Sequence, residues 1–236
     1  MTVGRIAALV IVLVTVSCDG PVWDADELAA MGEGGTAFLR KPFQGQPPCT
    51  WGFDHDLPVN ALSEQRFHRG TPGLLDWRGQ NVELSWGDGN GHNGYDWFVP
   101  TGTEILAAAD GTVELAGLGT PVQCGQETKT AIVVRLVHVG PRGRPYATLY
   151  VHLDSVAVEP GQTVRAGDVL GRAGASGCAS GPHLHFSVYD LSGDTRVPVD
   201  PFGWAGDGAD PWVLEPDGAA SEWLWRGDPP DGDGRS

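Results

Sequence analysis

Positive charge is scarce in this sequence. Its 236 residues carry 15 Lys and Arg against 30 Asp and Glu, a formal charge of −15. Binding phosphate needs a basic face, so the balance excludes nucleic acid as a partner. Lysine occurs only at Lys41 and Lys129. The four cysteines show no CxxC spacing, which argues against a cysteine-ligated metal. No segment within 82–200 sustains the 3.6-residue apolar period of a long amphipathic helix. The apolar run IAALVIVLVTV at 6–16 has eleven residues, against the roughly 20 that a membrane-spanning helix requires.

That run, preceded by Arg5 and followed by Ser17 and Cys18, has the proportions of a secretory signal. Residues 1–17 are read as a signal peptide that sends the chain to the cell envelope or periplasm. TVSC at 15–18 resembles a bacterial lipobox, with Thr15 where a larger aliphatic residue is usual. The resemblance implies a lipid anchor at Cys18, and ordinary secretion if Cys18 is unmodified. Export permits disulfides. Cys49, Cys124 and Cys178 allow three single pairings; Cys124–Cys178 is favoured because both fall in the strand-rich region, the second in the loop before SGPHLHF.

Glycine and proline are abundant, at 35 and 18 residues, and punctuate the chain into short segments. That is the grammar of strands joined by tight turns. TEILAAADGTVELAGLG reads as two strands around Ala-Asp-Gly. AIVVRLVHV and YATLYVHL read as a hairpin across GPRGRP, VEPGQTVRAGDVLGRAG as strand–turn–strand, and HLHFSVYDL as a further strand. The expected fold is all-β: a small antiparallel sheet or sandwich-like domain over 82–203, with irregular N- and C-terminal extensions. Residues 18–81 form a tether and extension, with a short helical candidate at Asp24–Met31. Residues 204–226 are Trp-rich and are expected to pack as a wrap onto the sheet; the polar tail 227–236 has a disordered composition.

Four of the seven histidines fall in short, distinct contexts. His92 lies in HNGYD with Asp96 four residues on, His152 in YVHL, and His183 and His185 in SGPHLHF. On a strand, positions i and i+2 share a face, so His183 and His185 stand side by side. A catalytic zinc takes three protein ligands from His, Asp or Glu and keeps a fourth position for water. His92, Asp96 and His185 supply two imidazoles and a carboxylate. His152 and His183 are then left for the two remaining jobs of amide hydrolysis, proton transfer and oxyanion stabilisation. His55, His68 and His138 have no such company and read as surface or loop residues.

HNGYD, YVHL and GPHLHF, in that order, resemble the HxxxD, YxHL and HxH motifs of the LytM/lysostaphin-type zinc metallopeptidases, the M23 family of peptidoglycan DD-endopeptidases. VPTGTEILAAADGTV and VEPGQTVRAGDVLGRAG resemble its connecting strands, so the likeness covers about residues 85–203. It implies one zinc per chain on His92, Asp96 and His185, with His152 and His183 catalytic. The base and the donor are not distinguished. It further implies peptidoglycan as partner, with cleavage of peptide bonds in its stems or cross-links. The alternative is an inactive envelope protein on the same scaffold that binds the wall or activates an amidase; the complete ligand set speaks against it. A biotinyl- or lipoyl-type carrier is disfavoured because neither lysine sits in the required hairpin turn.

Overall fold

Alternation of apolar and polar residues makes the central strands half-buried ribbons, and glycine and proline end them. The computed structural model describes residues 37–47, 50–55, 74–82, 91–215 and 218–226. The signal segment, the helical candidate at 24–31, His68, Cys18, Cys49 and the tail at 227–236 lie outside them. The strands are β1 (Thr50–Trp51), β2 (Leu74–Leu75), β3 (Asn81–Val82), β4 (Tyr95–Trp97), β5 (Glu104–Leu106), β6 (Gly111–Leu118) and β7 (Val122–Cys124), followed by β8 (Glu127–Lys129), β9 (Ile132–Val139), β10 (Pro145–Val156), β11 (Thr163–Val164), β12 (Val169–Ala173), β13 (Leu184–Asp190) and β14 (Val197–Val199). Helix among the described residues is limited to two 3₁₀ turns, at Pro141–Gly143 and Pro211–Leu214. The described residues are all-β apart from these turns, as the composition predicts.

A ten-stranded sheet runs in the order β1-β4-β13-β10-β9-β6-β11, with β12 and β5 continuing from β10 and β14 pairing with β13. Every strand pairing among the described residues is antiparallel. The expected hairpin across GPRGRP is present as β9–β10. β5 and β6 flank the Ala-Asp-Gly turn but do not pair with each other. β5 joins β12, whereas β6 joins β9 and β11. The turn therefore hands the chain between two parts of the sheet, and only the partners' positions in space decide this.

Trp97, Tyr150 and Phe186 are fully buried at the sheet centre. The C-terminal segment closes the core from outside the sheet. Trp225 is buried with ring centroids 5.4 Å from Phe202, 5.9 Å from Phe186 and 6.1 Å from Trp97. Trp212 and Trp223 are also buried, and Trp204 partly so. The tryptophans are thus packing residues. Residues 37–40 lie along this segment: Phe38 N and Leu39 N donate to Leu224 O at 2.8 Å, and Arg226 N donates to Leu39 O at 2.7 Å.

Two histidines with no neighbouring motif are not surface residues. His138 is buried; Nδ1 donates to Asp110 O and Nε2 bonds Thr148 Oγ1, each at 2.8 Å. His55 is buried between two carboxylates, with Nε2 2.8 Å from Asp200 Oδ2 and Nδ1 2.8 Å from Asp210 Oδ1. Tyr95 Oη donates to the same Asp200 at 2.9 Å. These partners lie 145 and 155 residues from His55 in sequence, so no local pattern announces them.

Candidate metal centre

Cross-strand register builds the site. Asp96 on β4 stands opposite His185 on β13, which in turn stands opposite Val151 on β10. His183 lies two residues before His185 and faces the same way. His92 arrives from the loop ahead of β4. That loop passes so close to β13 that a Cβ on Gly94 would lie 2.4 Å from Phe186 O; only glycine fits the third position of HNGYD.

His152 comes from a bulge. The β10–β9 register shifts between Tyr150 and Leu153, and His152 takes a left-handed φ of 65°. A non-glycine residue in that region stores backbone strain, a recurring feature of functional positions. The bulge swings the imidazole towards β13, where its ring centroid lies 4.5 Å from His183 and 6.2 Å from His185.

Three atoms converge. His92 Nε2 is 3.1 Å from His185 Nδ1 and 3.2 Å from Asp96 Oδ1, and His185 Nδ1 is 2.8 Å from the same oxygen. Outer partners fix which lone pairs point inward. His92 Nδ1 donates to the Gly52 carbonyl at 2.6 Å, so the neutral ring presents a bare Nε2. His185 Nε2 bonds Ser187 Oγ at 2.8 Å, and with its proton there Nδ1 is bare as well. Two imidazole lone pairs and a carboxylate oxygen then meet at contact distance, an arrangement that repels itself unless a cation or a shared proton lies among them. Tetrahedral zinc with bonds of about 2.0–2.2 Å would set its ligands about 3.3–3.6 Å apart, somewhat wider than the 3.1, 3.2 and 2.8 Å separations here. The set of two imidazoles and one carboxylate suits zinc.

Electrostatics agree with a cation site. Burial works against ionisation of Asp96, yet His92 and His185 hold its carboxyl well below the usual range. Burial also opposes charge on His92, but Asp96 and the Gly52 carbonyl raise it overall. His185 is lowered, chiefly by burial, against the pull of Asp96. His152 is pushed down to about 4 by burial and then by His185 and His183, which keeps it neutral at physiological pH. His152 Nδ1 donates to Ser176 O at 2.7 Å and His183 Nδ1 to Gly181 O at 2.9 Å. The neutral His152 ring is thereby left with a bare Nε2, and His183 Nε2 lies 3.6 Å from Asp96 Oδ2.

The five residues singled out by motif thus share one site. The groups that orient them carry no sequence signature: Gly52, Ser176 and Ser187 act through a carbonyl or a hydroxyl. Ser176 is further tied by Oγ, which donates to Leu153 O at 2.7 Å and accepts from Ile132 N at 2.8 Å. Two residues on, Cys178 is disulfide-bonded to Cys124 with Cα atoms 5.7 Å apart, which tethers the loop.

Peptidase family M23 matches residues 90–201. An uncharacterised metalloprotease of Haemophilus influenzae is 39% identical over 98 residues, covering 42% of this chain and 18% of that protein. Peptidoglycan DD-endopeptidase ShyB of Vibrio cholerae is 35% identical over 97 residues, covering 41% of this chain and 20% of that protein. The chain therefore spans about a fifth of the length of these curated relatives. Among solved structures, a zinc containing peptidase from Vibrio cholerae aligns at 26% identity with a TM-score of 0.43, covering 69% of this chain and 39% of that one.

Proposed function

We propose, on the premise that residues 90–201 are a peptidase family M23 domain, that this chain is a zinc-dependent endopeptidase cleaving peptide bonds in the stems or cross-links of bacterial peptidoglycan. The observation that carries the reading is the meeting of His92 Nε2, Asp96 Oδ1 and His185 Nδ1 within 3.2 Å of one another, flanked by two further imidazoles. One zinc per chain is held by these three residues. When bound, zinc supplies Lewis acidity, making a water nucleophilic at neutral pH and polarising the scissile carbonyl.

The chain's own residues do the rest. His152, neutral and with Nδ1 committed to Ser176 O, accepts the proton of the attacking water at Nε2. His183, with Nδ1 donating to Gly181 O, meets the substrate through Nε2 and, carrying a second proton there as the imidazolium, donates to the oxygen that gains charge. The bulge at His152 and the Ser176 carbonyl hold the first ring, and Phe98, stacked on His183 at 5.6 Å, holds the second. The names of relatives such as peptidoglycan DD-endopeptidase ShyB support the substrate class. The apolar run at 6–16 and Cys18 support export to the envelope and a lipid anchor.

The test is digestion of purified peptidoglycan by the zinc-loaded chain, read as released muropeptides. We expect cleavage by the wild type, and a loss of roughly 10²–10⁴-fold in His152→Ala and in His183→Ala with zinc retained. A zinc-loaded wild type that releases nothing from peptidoglycan would overturn the reading.

A further inference from the structure

The stretch that matches the family begins at residue 90, yet residues 50–55 are built into the centre. β1 pairs with β4, placing Trp51 opposite Asp96. The chain then runs alongside the loop that carries His92. Gly52 O receives the His92 Nδ1 proton, and Asp54 N donates to His92 O at 2.8 Å. Asp54 is itself buried, and both its carboxylate oxygens are used. Oδ2 accepts from Gly91 N at 2.7 Å and Oδ1 accepts from Leu75 N at 3.0 Å.

Resting on the reading that His92, Asp96 and His185 hold zinc, we propose that Asp54 is a positioning residue of the metal centre: its carboxylate and amide clamp the Gly91–His92 backbone and so aim His92 Nε2 at the metal. Gly91 has a left-handed φ of 80°, a conformation glycine adopts freely and leaves as freely. The residue before a metal ligand therefore gains its fixed geometry from the clamp and not from its own backbone. The donors at Gly91 and Leu75 are backbone N–H groups, so each needs an acceptor. A carboxylate offers two acceptor oxygens, whereas an amide of the same shape offers one oxygen and sets an NH₂ against the other N–H. Asp54→Asn is thus a nearly isosteric change that opens one arm of the clamp.

Outer groups that orient a metal ligand typically change metal affinity by 10–100-fold when removed. The experiment measures zinc affinity of the full chain by competition with a fluorescent zinc chelator, alongside the melting temperature of the metal-free protein. Wild type, Asp54→Asn and Asp210→Asn are compared. Asp210 belongs to the buried His55 cluster and has no contact with the His92 loop among its hydrogen bonds, so its variant reports destabilisation alone. We expect folded Asp54→Asn to bind zinc 10–100-fold more weakly than wild type, and Asp210→Asn to melt earlier while keeping wild-type affinity. Wild-type affinity in folded Asp54→Asn would overturn the proposal, as would an equal loss in Asp210→Asn. If Asp54→Asn does not fold, Asp54→Ser, which leaves room for a water to accept from both amides, takes its place; failure of both to fold would assign Asp54 to the fold alone. A wild type that binds no zinc would instead remove the reading on which the proposal rests.

Discussion

Raising the pH should loosen this fold through one buried imidazole. His55 is wholly inaccessible and sits between Asp200 and Asp210. Burial opposes its charge, but hydrogen bonds and attraction from Asp200 and Asp210 outweigh it and raise its pKa from 6.5 to about 9. The folded state therefore holds this proton more tightly than the unfolded chain. Its contribution to stability is complete below about pH 6.5 and is lost as pH rises through about 9. At about 1.4 kcal/mol per pH unit the difference amounts to roughly 3 kcal/mol. Burial raises Asp200 from an ordinary carboxylate value of 3.8, while Asp210 is lowered below that value, chiefly through His55 against the effect of burial. Tyr95 is raised well above 10 by burial and Asp200, so it titrates later. The assay is urea unfolding at pH 6 and at pH 9.5 with a chelator present, so that metal binding does not enter. Wild type should lose about 3 kcal/mol between the two that His55→Gln does not lose. His55→Gln should also be weaker at pH 6 by about 3–5 kcal/mol, because it strands two buried carboxylates. Parallel pH profiles for the two proteins would refute the reasoning.

Other expectations follow from the same packing. Gly94→Ala places a methyl 2.4 Å from Phe186 O; the loop must shift, and both thermal stability and zinc affinity should fall, the first by roughly 1–3 kcal/mol, checked by denaturation and chelator competition. Trp225→Ala removes a ring packed on Trp97, Phe186 and Phe202 and should cost about 3–5 kcal/mol in chemical unfolding. The Cys124–Cys178 bridge closes a separation of 54 residues, so the double Ser variant should lose about 4 kcal/mol on a chain-entropy reckoning. Because that bridge anchors the loop whose Ser176 carbonyl holds His152, kcat should fall in the same variant while zinc content stays unchanged.

The motifs were legible because each is a local pattern with a geometric consequence. HxH on a strand gives two rings on one face, and the glycine of HNGYD is forced by contact with β13. The all-β character followed from glycine and proline spacing with no sustained helical period. The hairpin of β9 and β10 followed from two apolar runs around a turn. What stayed hidden depends on distance in sequence. His55 looked ordinary because Asp200 and Asp210 are far along the chain, and His138 because its partners are a carbonyl and a threonine hydroxyl. Gly52 and Asp54 contribute through an oxygen or an amide that almost any segment could offer. The two strands around Ala-Asp-Gly were legible, but not their partners: β5 pairs with β12 and β6 with β9.

The most direct measurement is zinc-dependent release of muropeptides from peptidoglycan by the metal-stripped chain as zinc is restored, in wild type and in His185→Ala. The account predicts that wild-type activity rises to saturation at one zinc per chain, and that His185→Ala neither retains zinc nor releases product at the same concentrations. Release that is indifferent to zinc, or retained in His185→Ala, would contradict it.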